Sequence, residues 1–362
     1  MAAKQVKMQR RDMKENIKKR KELFLDKDKF DAALVNGLRG KLLRNYAMLA
    51  AASNNRNLKF LNEDFNIKNK YRKARNCPCC GESSERSDLI YSGFGMNISS
   101  CNACELVYST VILKDEADRE IYSAEVVDAY LDLKQHAVYG ELERQKALYI
   151  ISSALEVRPE IEVHLDIGSG AGRLLEAGAY LGLTSTGIEP NPRFFRFTKN
   201  MGLDVVGGFF PEALRSRQAR SFDLITSCDV LEHIDDVGDF LRGVKAMLSQ
   251  GGLFAIQVPN FDSLLLRLEG ESNVNNICLG HWNYFTSRSL EGCLAQAGFR
   301  AVKTETYISE FDKIKNFSEA EIEARIREIT GGDLAPVKKL SIDSLHNKKM
   351  GFKLFGLFEI AE

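Results

Sequence analysis

Residues 161–172 read Ile-Glu-Val-His-Leu-Asp-Ile-Gly-Ser-Gly-Ala-Gly, and this stretch decides the fold class. Its first half is a β-prone run that reaches Asp166, and its second half is a glycine-rich loop. A helical pattern with Leu174, Leu175 and Leu181 follows the loop. Glycines suit such a loop because the backbone must turn tightly and let a ligand approach without a Cβ in the way. The stretch therefore predicts a strand, a ligand-binding loop and a helix.

Alternating strand and helix patterns continue from this loop towards the C-terminus. The predicted strands are 161–166, 184–189, 205–206, 222–228, 253–258, 300–307 and 351–360. Between them, helical patterns begin near Val237 and at Ser287. Strands that alternate with helices form parallel βαβ units, in which helices cover both faces of one sheet. We therefore predict an α/β fold with a doubly wound, Rossmann-like sheet of seven strands.

Two acidic residues indicate which cofactor the loop serves. A dinucleotide fingerprint requires a glycine three positions after Gly170, where this chain has Arg173, and Asp166 would lie close to a pyrophosphate. S-adenosylmethionine (SAM) carries a cationic sulfonium and an ammonium group, which an acid at the strand end attracts. Glu189 ends the second strand 21 positions after Gly168, close to the spacing at which an acid binds ribose hydroxyls. The loop and both acids therefore favour SAM over NAD.

The chain resembles the class I SAM-dependent methyltransferases, in particular those that modify sugars, polysaccharides and small metabolites. The resemblance spans about Val163 to Val302. It rests on five segments: 166–172 (Asp-Ile-Gly-Ser-Gly-Ala-Gly), 187–190 (Gly-Ile-Glu-Pro), 221–233 (Ser-Phe-Asp-Leu-Ile-Thr-Ser-Cys-Asp-Val-Leu-Glu-His), 248–260 (Leu-Ser-Gln-Gly-Gly-Leu-Phe-Ala-Ile-Gln-Val-Pro-Asn) and 281–286 (His-Trp-Asn-Tyr-Phe-Thr).

This resemblance implies roles for residues along the cofactor. It assigns to SAM binding Asp166, Gly168, Gly170, Gly172, Glu189, Phe209 and Asp229. The three glycines would face the methionine and ribose parts, and Glu189 would hold the ribose. The loop at 207–209 would border the adenine. Many relatives have an acid in that loop, but residues 207–209 of this chain are Gly-Gly-Phe. Adenine recognition here would therefore depend on backbone groups and on apolar packing by Phe209.

Two histidines follow predicted strands at the edge that faces the cofactor. Methyl transfer to a hydroxyl needs a base, and histidine has an unperturbed pKa near 6.5. His233 follows the strand at 222–228 in the order Asp-Val-Leu-Glu-His, and the resemblance places it beside the transferred methyl group. His281 opens a segment that forms part of the acceptor pocket in similar sugar methyltransferases. We therefore predict His233 and His281 as catalytic residues.

Neighbours of these histidines are predicted to bind the acceptor. Trp282 and Tyr284 would give a flat face suited to a sugar ring, and Glu232 adjoins the base. Simpler interpretations stay open, in which His233 caps a turn or pairs with Glu232 and the aromatic rings pack the loop onto the sheet. A further alternative is a divalent cation held by Asp229, Glu232 and His233, although all three lie in one turn.

Four cysteines predict a zinc ribbon before the sheet. Two Cys-x-x-Cys pairs about twenty residues apart have the spacing of a tetrahedral zinc site, with the ligands Cys77, Cys80, Cys101 and Cys104. Four sulfurs leave no open position for water, so the site would be structural. Cys79 is an alternative ligand within the first pair. The remaining cysteines are interpreted as unpaired buried or loop thiols: Cys228, Cys278 and Cys293.

Length and charge suggest four regions in this 362-residue chain. They are a basic helical arm (1–72), the zinc ribbon (73–112), a helical linker (113–155) and the SAM-binding methyltransferase domain (156–362). Residues 1–76 have 21 Lys and Arg against 8 Asp and Glu, although the whole chain is formally neutral. The arm is expected either to form solvated basic helices or to bind an anionic partner such as RNA or lipid.

Location and function follow from the same observations. The sequence has neither an apolar run of about 20 residues nor a signal-peptide pattern, which predicts a cytoplasmic protein without a membrane span. The leading hypothesis is O-methylation of a sugar, nucleotide sugar or glycan-like metabolite, with C- or N-methylation ranked lower. The alternatives are an RNA methyltransferase that uses the arm and the ribbon, and a non-catalytic SAM-binding scaffold. The oligomeric state is left open.

Overall fold

The computed structural model describes residues 58–93, 95–123, 137–214, 221–270, 277–332 and 340–361. Most of the basic arm lies outside these residues, so its helices and its anionic partner stay predictions. In the described part of the chain, no helix combines the length and apolar character that crossing a membrane requires.

The described residues form strands and helices in the following order. The strands are β1 (Arg72–Ala74), β2 (Ser87–Gly93), β3 (Met96–Cys101), β4 (Val107–Ser109), β5 (Val111–Leu113), β6 (Val163–Ile167), β7 (Thr184–Glu189), β8 (Val205–Gly207), β9 (Phe222–Cys228), β10 (Leu248–Pro259), β11 (Asn283–Tyr284), β12 (Phe299–Tyr307) and β13 (Lys353–Ile360). The helices are α1 (Asp115–Ser123), α2 (Ala137–Val157), α3 (Arg173–Tyr180), α4 (Pro192–Asn200), α5 (Val237–Met247), α6 (Leu264–Glu269), α7 (Ser287–Gln296), α8 (Phe311–Ile314), α9 (Glu319–Thr330) and α10 (Ile342–Asn347).

The central sheet has seven strands in the order β12-β13-β10-β9-β6-β7-β8. Strands β10, β9, β6, β7 and β8 run parallel, and β13 runs antiparallel to both β10 and β12. Successive residues of β10 point to opposite faces: Ala255 packs with α2 and α3, and Ile256 packs with α5 and α7. Helices therefore cover both faces, and the predicted doubly wound α/β fold with seven strands is confirmed.

A smaller sheet joins the cysteine-rich region to a late part of the chain. Its order is β11-β4-β3-β2, and each pair is antiparallel. Asn283 of β11 pairs with Tyr108 of β4, and Tyr284 pairs with Val107. The segment that follows His281 is therefore a strand of the ribbon sheet.

His164 lies in β6 at the centre of the large sheet and is fully buried. Its ring nitrogens contact the hydroxyls of Ser185 at 3.0 Å and Thr226 at 2.8 Å. Burial lowers the pKa of His164 to about 3. The unfolded chain takes up this proton near pH 6.5, so between pH 6.5 and 3 the unfolded state binds more protons than the folded state. The contribution of His164 to the free energy of unfolding is therefore complete above pH 6.5 and is lost as the pH falls.

We expect the replacement His164→Gln to reduce the acid sensitivity of the protein. As the pH falls from 6.5 to 3, the free energy of unfolding of the wild type should decrease by up to about 1.4 kcal/mol per pH unit more than that of the variant. Urea unfolding of both proteins at several pH values measures this difference. A difference in unfolding free energy that stays constant over the whole range would contradict the assignment.

Candidate functional site

The glycine loop leaves β6 and turns over the end of β7. The backbone N–H groups of Gly168 and Ser169 both donate to the carbonyl of Ile188, each at 2.9 Å, and Gly172 directly precedes α3. Gly168 has a φ of +75°, in the left-handed region. A Cβ on Gly168 would lie 2.5 Å from Cγ2 of Val230. Both the backbone angle and this neighbour therefore require glycine here.

Both predicted acids lie buried beside this loop. Glu189 accepts hydrogen bonds from the backbone N–H of Gly170 at 2.6 Å and of Asn191 at 2.7 Å. Asp166 accepts one from the hydroxyl of Thr226 at 2.7 Å. The Glu189 carboxylate thus connects the glycine loop to the start of α4. The residue predicted to bind the ribose therefore lies directly beside the loop.

Phe209 lies in the loop that follows β8 and is half-buried. The guanidinium carbon of Arg119 lies 4.7 Å from the centre of its ring, within the range of a cation–π contact. Arg119 belongs to α1, and no local pattern in the sequence marks it as a contact of Phe209. Helix α1 therefore packs over the side of the site that is predicted to hold the adenine.

Asp229 directly follows β9 and forms a polar network at the edge of the sheet. Its carboxylate accepts hydrogen bonds from Lys353 Nζ at 2.7 Å and from Gln257 Nε2 at 2.8 Å. Burial alone would raise the pKa of Asp229, but the ammonium groups of Lys353 and Lys146 outweigh burial and hold it below its usual value. Asp229 is therefore ionised, and its SAM-binding role stays a prediction. Sequence reasoning missed Lys353 because it lies 124 positions from Asp229.

His233 and His281 come together at the carboxyl ends of the parallel strands. Their ring centres are 4.7 Å apart, and the ring planes meet at 71°. His233 Nδ1 lies 2.7 Å from the carbonyl oxygen of Gly280. A carbonyl only accepts, so Nδ1 must carry the proton and Nε2 is the basic nitrogen of the ring. Burial lowers the pKa of His233, which keeps the ring neutral near pH 7.

Glu232 directly precedes His233, and the charge of Asp229 acts on its carboxyl group. It is buried, and its Oε2 has no hydrogen-bond partner among the described residues. Burial, with the nearby charge of Asp229, raises the pKa of Glu232 to about 8. The donor atoms of Glu232, His233 and His281 lie within 4.8 Å of one another, a set able to ligate a divalent cation. This set contains His281 in place of Asp229, which the sequence had suggested as the third ligand.

The structure corrects the prediction that Trp282 and Tyr284 present a flat face to a sugar. Trp282 is 0% exposed and Tyr284 is 5% exposed. The indole N–H donates to Asp118 at 2.9 Å, and the Tyr284 hydroxyl donates to the carbonyl of His281 at 2.9 Å. Both rings are buried because β11 pairs with the ribbon sheet, so they pack the segment in place as the simpler interpretation had it.

The four predicted zinc ligands form one cluster. The sulfur of Cys77 lies 3.5 Å from that of Cys104, and Cys80 lies 3.6 Å from Cys101. All four sulfurs lie within 4.8 Å of one another. A tetrahedral site with zinc–sulfur distances of about 2.3 Å requires sulfur–sulfur separations of roughly 3.8 Å, which this cluster fits. The donor set therefore supports the predicted structural zinc site.

Two cysteines differ from expectation. Cys79 was an alternative zinc ligand and Cys293 an unpaired thiol, yet their Cα atoms lie 5.5 Å apart, a separation that a disulfide bond allows. The contact joins the ribbon to α7, across 214 positions of sequence. Cys79 therefore lies against α7 and outside the four-sulfur cluster.

Comparisons with known proteins agree with the fold. The model of a methyltransferase domain family matches residues 139–304. A ubiquinone biosynthesis O-methyltransferase of Caulobacter sp. (strain K31) is 34% identical over 26% of this chain and 40% of its own length. The C-methyltransferase NovU of Streptomyces niveus is 28% identical over 39% of this chain and 34% of its own length. The match therefore spans less than half of either curated relative.

One similar solved structure is a SAM-dependent methyltransferase from Archaeoglobus fulgidus, with 21% identity and a TM-score of 0.44 over 59% of this chain and 93% of that one. The family match covers the glycine loop, Glu189 and both histidines. Together with the seven-stranded sheet, this match supports a methyltransferase domain over residues 139–304.

Proposed function

We propose that this protein transfers the methyl group of SAM to a hydroxyl group of a small-molecule acceptor, with His233 as the base. The observation that carries the proposal is the 2.7 Å contact of His233 Nδ1 with the Gly280 carbonyl, which places the ring proton on Nδ1. A neutral histidine with a basic Nε2 is the form that accepts a proton.

The position of His233 supports this role. A Cβ on Gly168 would lie 2.5 Å from Val230 Cγ2, so Val230 is close to the glycine loop, and the turn Leu231–His233 begins at the next residue. Open α/β sheets bind their ligands at this carboxyl edge. The base therefore lies at the edge where the glycine loop would hold the cofactor.

The residues of the chain have two tasks in this reaction. Bound SAM supplies a methyl group on a sulfonium that is already a good leaving group. The site must align the acceptor oxygen with the methyl group and remove the proton of the hydroxyl. His233 takes that proton at Nε2, and the Gly280 carbonyl holds the opposite N–H and stabilises the imidazolium. The predicted acceptor contact of Glu232 is not part of this proposal, because its side chain is 2% exposed and so is as buried as the rings of Trp282 and Tyr284.

Two observations bear on the acceptor. The relative from Caulobacter carries the name of an O-methyltransferase, which supports oxygen as the methylated atom. The sequence predicted that a sugar, nucleotide sugar or glycan-like acceptor stacks on Trp282, but Trp282 is buried and offers no such face. We therefore base the proposal on the hydroxyl group and keep the sugar class as one arm of the test.

The proposal is tested by methyl transfer from tritiated SAM to fractionated cell extract, nucleotide sugars, phenols and RNA. With the acceptor so found, we expect His233→Asn to lower kcat about 100-fold, the low end for loss of a general base. SAM affinity, measured by calorimetry, should change little because the glycine loop is intact. The control His346→Asn removes a histidine that bonds Thr306 away from the site, and it should keep the wild-type rate.

Other outcomes separate the competing functions. A wild-type rate for His233→Asn would remove His233 as the base. Label in RNA alone, with steep salt dependence, would favour the RNA methyltransferase that the basic arm suggests. SAM binding without transfer to any fraction would favour the non-catalytic scaffold.

A further inference from the structure

Arg75 directly follows β1, two positions before the first zinc-ligand cysteine, and its side chain is 6% exposed. Its guanidinium donates hydrogen bonds to the following acceptors: the carbonyls of Ser109 at 2.9 Å, Ile234 at 3.5 Å, Asp235 at 2.8 Å and Trp282 at 2.7 Å, and Oδ1 of Asn283 at 2.9 Å. A guanidinium has five N–H donors in a rigid plane, so one side chain is able to hold several backbone segments at once.

The acceptors of Arg75 belong to the two segments that carry the histidines. Ile234 and Asp235 directly follow His233, and Trp282 and Asn283 directly follow His281. Arg75 therefore bridges the two segments from the ribbon side.

The two segments are also bonded to each other. The backbone N–H of Trp282 donates to the carbonyl of Glu232 at 2.7 Å. The amide of Asn283 donates to the carbonyls of Leu231 at 2.9 Å and Ile234 at 2.7 Å, and its own oxygen accepts from Arg75. Arg75 therefore completes a network that fixes where each histidine lies relative to the other.

We propose that Arg75 is a positioning residue that fixes the ring of His233 in its active orientation. The proposal rests on the proposed function. The ribbon contacts this segment twice: β4 pairs with β11, and Arg75 binds the carbonyl of Trp282 directly before that strand. Lysine is a poor substitute, since one ammonium has three donors and lacks the planar fork.

The test follows the histidine rings rather than activity. In spectra of ¹⁵N-histidine-labelled protein, His233 of the wild type should show one neutral tautomer with the proton on Nδ1, assigned with His233→Gln. In Arg75→Lys we expect loss of this single-tautomer signature and exchange of the Nδ1 proton with water at least about tenfold faster, as for a weakened hydrogen bond. The zinc content should stay at the wild-type level.

Matched controls separate positioning from general loss of structure. Arg86→Lys alters a ribbon arginine whose side chain is 75% exposed and which pairs with Glu82 at 3.5 Å, so the His233 signal should be unchanged. His164 reports on the large sheet in every variant and should also be unchanged. If Arg75→Lys does not fold, Asn283→Ser removes the bonds to Leu231 and Ile234 and should give the same loss at His233.

Two results would overturn the positioning role. One is an unchanged His233 signal in folded Arg75→Lys, and the other is a change at His164 as large as that at His233. The spectra need no acceptor, so the two proposals fail separately. If Arg75→Lys loses the His233 signature but the wild-type protein transfers no methyl group to any acceptor, only the proposed function is overturned.

Discussion

Replacing both Cys77 and Cys104 with serine is expected to remove zinc from the protein and to unfold the ribbon. The sulfurs of these residues lie 3.5 Å apart in the four-sulfur cluster, and two remaining thiolates do not close a structural site. Structural zinc contributes about 10 kcal/mol to small domains that fold around the ion, so its loss should destabilise the ribbon strongly.

The loss of zinc should affect the acceptor side of the site more than the cofactor side. The ribbon holds the acceptor side through the pairing of β4 with β11, and the N–H of Gly238 donates to the Pro78 carbonyl at 3.2 Å. The glycine loop is held by other contacts, chiefly those of Glu189. We expect new protease cleavage within 72–113, loss of methyl transfer and SAM affinity within a few-fold of wild type.

Zinc analysis, limited proteolysis and calorimetry with SAM measure these three effects. The matched control is Cys278→Ser, which changes a cysteine outside the cluster and should keep one zinc ion per chain. Full zinc content in the double variant, or an unchanged cleavage pattern, would contradict a structural zinc site in the ribbon.

The sequence predicted those parts of the site whose residues lie close together in the chain. The strand before Gly168 and the acid at Glu189 are set by local patterns, because parallel strands carry loops and ligands at one edge of the sheet. The spacing of the two Cys-x-x-Cys pairs likewise predicts which four cysteines lie together. These features depend on the spacing of residues along the chain, which can be read from a single sequence.

What the sequence did not predict depends on contacts between distant residues. Lys353 reaches Asp229 from the last strand, and Arg75 reaches Trp282 across 207 positions. Nothing in the local pattern around Trp282 distinguishes a binding face from a buried strand. Only the pairing of β11 with β4 determines that Trp282 is buried. The meeting of the two histidines at one edge of the sheet was therefore predictable from motif and position, whereas the residues that hold them there were not.

The replacement Gly168→Ala is expected to lower SAM affinity about 1,000-fold, which corresponds to about 4 kcal/mol. Alanine at a φ of +75° is strained, and its Cβ would lie 2.5 Å from Cγ2 of Val230. Val230 cannot yield freely because the buried residues Leu231 and Glu232 directly follow it. The loop must therefore move towards the space that the cofactor needs.

A second glycine separates strain from steric overlap. Gly202 has a φ of +80° after α4, but a Cβ there would meet no atom within 4 Å. Gly202→Ala should thus lose a similar amount of stability from strain while binding SAM as the wild type does. Calorimetry with SAM and urea unfolding of both variants test this difference. Equal SAM affinities in the two alanine variants would mean that Gly168 does not approach the cofactor, and the assignment of the loop to SAM would then be wrong.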